Sequence, residues 1–143
     1  MPEVNKSALV AYSAQQMFDL VNDVSAYDQF LPGCKRSTVL SFDDEQMTAR
    51  MVLSKAGIEK ELVTHNKLIK DKEIRMELAD GPFKSLQGGW RFTALSDTAC
   101  KVELRLEFTF TNKFIEMAFG KIFTSLTSNM VQAFTQRAKQ VYG

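Results

Sequence analysis

The stretch Cys100-Lys101-Val102-Glu103-Leu104-Arg105-Leu106-Glu107-Phe108-Thr109-Phe110 decides the fold. Apolar side chains fill every second position and polar or charged ones the positions between, the period of two of a strand with one buried and one wet face. At about 3.4 Å per residue such a strand is about 35 Å long, and one that long with a single wet face has to curve around something. A partner follows at once. From about Lys113 to Val141 apolar residues recur at helical spacing, at Ile115, Phe119, Ile122, Leu126, Met130, Phe134, Ala138 and Val141. This predicts one continuous helix about 43 Å long at about 1.5 Å per residue. Gly120 is its one weak point, costing about 1 kcal/mol relative to alanine, and marks a place for a bend or for close approach of another backbone.

Upstream of the long strand the pattern is strand and turn. Leu86, Gly88, Trp90 and Phe92 share one side of a strand, with Gln87, Gly89 and Arg91 on the other. Before it Ile74, Met76 and Leu78 alternate with Glu73, Arg75 and Glu77. Asp80-Gly81-Pro82, Lys70-Asp71-Lys72 and Asp43-Asp44-Glu45 are turns, and Ala56-Gly57 separates strands 46–55 and 58–69. Residues 36–42 form a further strand and residues 4–11 the first. Between those two lies a helical insert. Ser13 with Gln16 three positions on is a capping box, and Met17, Phe18, Leu20 and Val21 mark the buried side of a short helix. A second short helix or turn covers Ser25 to Phe30 and must stop by Leu31, because Pro32 disfavours helical backbone before it. Short turns imply an antiparallel meander, and the terminal helix covers one face of it. The expectation is an α+β chain, a curved antiparallel sheet of about seven strands gripping a long C-terminal helix, with two short helices after strand 1, as a single domain over 1–143.

Composition agrees and narrows the function. Hydrophobic residues make up 45% and charged ones 24%, an ordinary globular balance. With 18 basic against 17 acidic residues there is no global basic excess of the kind a dedicated nucleic-acid binder carries. Cys34 and Cys100 have no metal-type spacing and read as reduced thiols. Neither a signal-peptide pattern nor a run of about 18 apolar residues is present, so the expected location is the cytoplasm, with no transmembrane segment.

No residue set reads as an active site or a metal centre. The single histidine, His65, falls by alternation with Glu59, Glu61, Val63 and Lys67 on the outer face, where it has no place in a nucleophilic triad. Glu73, Glu77, Glu103 and Glu107 occupy wet positions interleaved with basic residues. Asp43-Asp44-Glu45 offers too few converging oxygens for a hard metal and reads as a hairpin turn. Gly88-Gly89 lacks the lysine and helix of a phosphate loop; it marks a strand bend, or room for something packed beside Trp90. Lys67, Lys70 and Lys72 surround one turn, with Lys35-Arg36 and Arg137/Lys139 elsewhere, and RNA or acidic lipid would interest them only if they shared one end. Tyr27, Phe30, Leu31 and Pro32 lie in a helix-to-loop segment. They either cap the core or form a lid or insertion point.

The chain resembles the START-like (helix-grip) superfamily, and in it the branch shared by bacterial ribosome-association toxins and coenzyme Q-binding proteins, which also carries a polyketide cyclase/dehydrase-like label. The resemblance rests on Leu20-Val21-Asn22-Asp23-Val24, Tyr27 with Phe30-Leu31-Pro32-Gly33-Cys34, and Ser54-Lys55-Ala56-Gly57-Ile58. It continues in Asp80-Gly81-Pro82-Phe83, Gly88-Gly89-Trp90, Phe110-Thr111-Asn112-Lys113, Met130-Val131-Gln132-Ala133-Phe134-Thr135 and Arg137-Ala138-Lys139. It implies a cavity between sheet and helix, linked in some relatives to ubiquinone and in the toxins to the large ribosomal subunit, whose joining and hence translation they block. Two departures stand out: Asp28 replaces a usual proline, and Leu62-Val63-Thr64-His65 replaces a stretch usually ending in arginine.

The leading expectation is therefore a non-enzymatic toxin of this branch acting on the large ribosomal subunit. The alternative is a carrier of ubiquinone or another apolar small molecule, with peripheral membrane contact open to it; a cyclase-like enzyme stands third. No resident cofactor or metal is expected. Phe30, Leu31, Trp90, Phe119, Met130 and Phe134 are the candidate pocket lining, with plain core packing as the alternative for the same side chains.

Overall fold

The capping box closes as its spacing predicts. The Gln16 amide donates to Ser13 Oγ at 3.1 Å and the Ser13 amide to Gln16 Oε1 at 2.9 Å, which starts helix α1 at Ala14. The computed structural model describes residues 3–55 and 57–143, so Ala56 of the expected Ala56-Gly57 break lies outside the described residues. In chain order the elements are β1 (Glu3–Val10), α1 (Ala14–Asn22), a 3₁₀ helix (Val24–Gln29), β2 (Cys34–Phe42), β3 (Gln46–Lys55), β4 (Ile58–Ile69), β5 (Glu73–Asp80), β6 (Phe83–Ser96), β7 (Ala99–Phe110), α2 (Lys113–Ser128) and α3 (Met130–Tyr142).

The seven strands form one antiparallel sheet in the order β1-β7-β6-β5-β4-β3-β2. Register irregularities in the β2–β3, β4–β5 and β6–β7 pairs let these ladders bend. The alternation in β7 is realised in full. Cys100, Val102, Leu104, Leu106, Phe108 and Phe110 are all buried, and with Leu86, Trp90 and Phe92 of β6 they face the helices. This is the α+β helix-grip architecture.

The expected single helix over Lys113 to Val141 is two helices, and the break is at Asn129 instead of Gly120. Polar side chains cause it by competing for the carbonyls of the last turn of α2. Thr127 Oγ1 donates to the Phe123 carbonyl at 2.9 Å, and Asn129 Nδ2 donates to the Ser125 carbonyl at 2.8 Å. The Asn129 carbonyl then accepts from the Ala133 amide at 3.0 Å to begin α3. Gly120 meets neither a bend nor a backbone. A Cβ there would lie 3.6 Å from the Phe110 ring, ordinary contact.

Gly88 and Gly89 lie where β6 closely approaches β7 and β5. Their φ angles are 137° and 149°, and a Cβ on either would sit 2.0 Å from a backbone oxygen, that of Arg105 or of Ile74 respectively. The neighbouring strands occupy the space, so a side chain at either position would run into the backbone of the paired strand.

Candidate functional site

The inner face of the sheet and the two C-terminal helices meet in an aromatic interior. Phe134 of α3 is one hub, with ring centroids of Tyr27, Phe30 and Trp90 at 5.1, 5.2 and 5.2 Å. Phe119 belongs to a second group, at 6.3 Å from both Phe83 and Phe110 and 6.0 Å from Phe123. Of the six candidate lining residues, the structure thus joins Phe30, Trp90 and Phe134 directly and sets Phe119 in a separate cluster. Leu31 and Met130 are buried in the same core.

The loop carrying Phe30 and Leu31 is pinned from several sides. Arg137 of α3 lays its guanidinium over the Phe30 ring at 4.9 Å and donates to Gln29 Oε1 at 3.2 Å. The Asp28 amide donates to Ser37 Oγ at 3.2 Å, so the residue that replaces the usual proline is held by β2. The Ser54 amide donates to the Gly33 carbonyl at 2.9 Å, and the Tyr27 hydroxyl donates to the Val21 carbonyl. The sequence shows Arg137 as a basic residue of the last helix and gives no sign of this contact, because its cation–π partner Phe30 lies far away along the chain and leaves no local pattern.

Two buried polar residues break the apolar inner face. Thr64 and Asn66 of β4 point inward, and Asn66, 6% exposed, has no hydrogen-bond partner for Oδ1. Its cross-strand neighbours are Met47 and Met76. Strand parity carries this signal, since Asn66 follows Leu62 and Thr64 at intervals of two. An unpaired carboxamide oxygen in an apolar setting suits a hydroxyl or amide donor.

The outer face is different. A cleft of about 1120 Å³ crosses β3 to β7 there, bordered by five basic and five acidic side chains, and Trp90 is the one candidate residue that also borders it. Glu73 takes both Arg75 at 2.7 Å and Arg91 at 3.3 Å, and its carboxyl is held below the usual range, chiefly by the Arg75 hydrogen bond. His65 is exposed on this face, its Nδ1 2.9 Å from Thr48 Oγ1. Lys35 pairs with Glu59 at the start of β4, whereas Lys70 and Lys72 follow its end. These basic groups therefore lie at opposite ends of a 12-residue strand.

Cys34 and Cys100 are buried free thiols, and burial pushes Cys34 up to about 11. Among the described residues no group of three or more His, Cys, Asp or Glu is placed to hold a metal ion. Among the described residues no helix is long and apolar enough to cross a membrane.

Comparison with known proteins completes the picture. Residues 10–135 match the family described as polyketide cyclase / dehydrase and lipid transport. A protein named ribosome association toxin RatA from Vibrio cholerae is 61% identical over 143 residues, covering 100% of this chain and 99% of its own. Its Escherichia coli namesake is 57% identical over 142 residues, covering 99% and 90%. A mitochondrial coenzyme Q-binding protein, COQ10 homolog B of Xenopus laevis, is 30% identical over 99% of this chain and 59% of its own. In fold, an aromatase/cyclase from Streptomyces sp. R1128 superposes with a TM-score of 0.83 at 14% identity, covering 99% and 96%. A START superfamily protein from Mycobacterium smegmatis gives 0.80 at 19%, covering 97% and 98%.

Proposed function

This chain belongs to the polyketide cyclase / dehydrase and lipid transport family, in its ribosome association toxin group, and on that premise we propose that it binds the large ribosomal subunit, blocks subunit association and so inhibits translation. The observation that carries this reading is end-to-end similarity, at 61% and 57% identity, to relatives named for ribosome association. The action is binding without catalysis, in the cytoplasm. In support, the single histidine is exposed on the outer face, Glu73 is committed to arginines, and the buried thiols are held protonated. The aromatase/cyclase likeness, at 14% identity, is one of fold alone.

The test is a sucrose gradient of cell lysate. The chain should travel with the large subunit, and its overexpression should raise free subunits at the expense of joined ribosomes. Sedimentation with free soluble protein only, and an unchanged subunit profile, would refute the proposal.

A second reading, an apolar ligand held between sheet and helices, is favoured by Asn66 and by the similarity to a coenzyme Q-binding protein. Phe30, Leu31, Trp90, Phe119, Met130 and Phe134 would then line the ligand, as the quinol form of ubiquinone or another hydroxyl-bearing lipid meets Asn66 Oδ1. Organic extraction and mass spectrometry of the purified protein test it; an empty protein that takes up neither quinol nor lipid counts against it.

A further inference from the structure

The two most exposed large apolar side chains of the described residues are on one turn of one helix. Phe114 and Met117 of α2 are 79% and 83% exposed. With about 100° per residue they point away from Phe119, Phe123 and Leu126, which carry the core contacts of the same helix. Lys113 and Lys121 share their face, and neither makes an ion pair among the described residues. The one acid of the helix, Glu116, makes no ion pair with either lysine among the described residues.

Three of these four residues, Lys113, Phe114 and Met117, work against the helix itself. A lysine in the first turn opposes the positive end of the helix dipole, and exposed Phe and Met lose the burial that would reward them. Neither is compensated by packing, which is the signature of residues kept for an external partner.

We propose that the Lys113–Phe114–Met117–Lys121 face of α2 is the surface that docks on ribosomal RNA, an inference that rests on the ribosome-binding reading above. Phe114 and Met117 stack on an unpaired base while Lys113 and Lys121 neutralise flanking phosphates. Charge selects this partner. A second copy would bring like-charged faces together, and the outer cleft, with its balanced charges, offers no preference for a polyanion. A lipid surface calls for a longer apolar stripe, whereas this face continues in Thr124 and Ser128.

The test compares variants of the full chain for binding to purified large subunits across a salt series. Lys113→Gln with Lys121→Gln should lower the slope of log Kd against log salt by about 1 to 2. Phe114→Ala with Met117→Ala should weaken binding about tenfold and leave the slope in place. All four positions are on the solvent side, and circular dichroism should show unchanged helix content. A photo-crosslinking phenylalanine analogue at position 114 should label ribosomal RNA. Undiminished binding by both double variants overturns the proposal, and so does labelling confined to ribosomal protein. Loss of binding to anionic phospholipid vesicles, with ribosome binding intact, would assign the face to a membrane and overturn it equally. Failure of the unmodified chain to bind ribosomes would instead refute the parent reading.

Discussion

Arg137 of α3 covers the ring of Phe30 at 4.9 Å, and so ties the last helix to the loop that follows the 3₁₀ helix. The contact is half-exposed, and its guanidinium also reaches Gln29. Arg137→Ala should cost about 1 kcal/mol in a denaturant melt, the usual size of a partly desolvated cation–π pair with one exposed hydrogen bond. Amide exchange at Phe30 and Leu31, whose N–H groups donate to the Tyr27 carbonyl, should speed up with it. Arg137→Lys keeps the charge but loses the planar fork, and should fall between the two.

Two glycines should respond to the same substitution with opposite signs. Gly120 sits in helical backbone with ordinary space beside it, so Gly120→Ala should raise stability by about 1 kcal/mol. Gly88 has φ 137° and a carbonyl 2.0 Å from any Cβ. Gly88→Ala should therefore lose about 3 kcal/mol or fail to fold. Thermal unfolding of the pair decides the matter, and equal effects at both sites would contradict the geometry.

Asn66 should be replaceable at a gain. Its Oδ1 is buried without a partner, and such a group costs about 1–3 kcal/mol. Asn66→Val, β-branched and apolar in a strand, should raise the melting temperature of the ligand-free protein. If a hydroxyl-bearing ligand occupies the interior, the same variant should lose that ligand.

Stability should fall at alkaline pH. Burial raises Cys34 from 9.0 to about 11, and burial also raises Cys100 and Tyr27. A group whose pKa is higher folded than unfolded stabilises the fold below the unfolded value and loses that contribution as pH climbs through the folded one. For Cys34 the window is pH 9.0 to about 11. Urea melts across it should show declining midpoints, with a shallower decline in Cys34→Ala. Alkylation of the native thiols should stay slow at pH 8.

Much of the fold was legible because its signals are local. The period of two in Cys100 to Phe110 and the Ser13/Gln16 box report on residues a few positions apart, and both elements formed where expected. The helix break was misplaced because propensity singled out Gly120, whereas the deciding hydrogen bonds come from Thr127 and Asn129, whose side chains choose between solvent and carbonyls only in three dimensions. The lining candidates were legible as inward-facing, but alternation does not say which aromatic ring meets which. Hence Phe119 falls with Phe83 and Phe123, apart from Phe134. Phe114 and Met117 escaped notice because a strong apolar stripe on the other side of α2 satisfied the helical pattern without them.

The place of β1 at the edge of the sheet beside β7 has a consequence for how the chain is made. Glu3 lies opposite Glu107 and Val10 opposite Cys100, so the first strand finds its partner only after about a hundred residues have been synthesised. Hairpins from β2 to β7 close locally and can assemble in order, whereas β1 must wait, unpaired, until the last strand appears. Arg105 then bridges the two like charges at the seam, 3.3 Å from Glu3 and 4.0 Å from Glu107. A molecule with this topology completes its sheet only once β7 has been made, and the helices that fill its grip arrive later still, so a nascent copy stays unfinished until α3 has emerged.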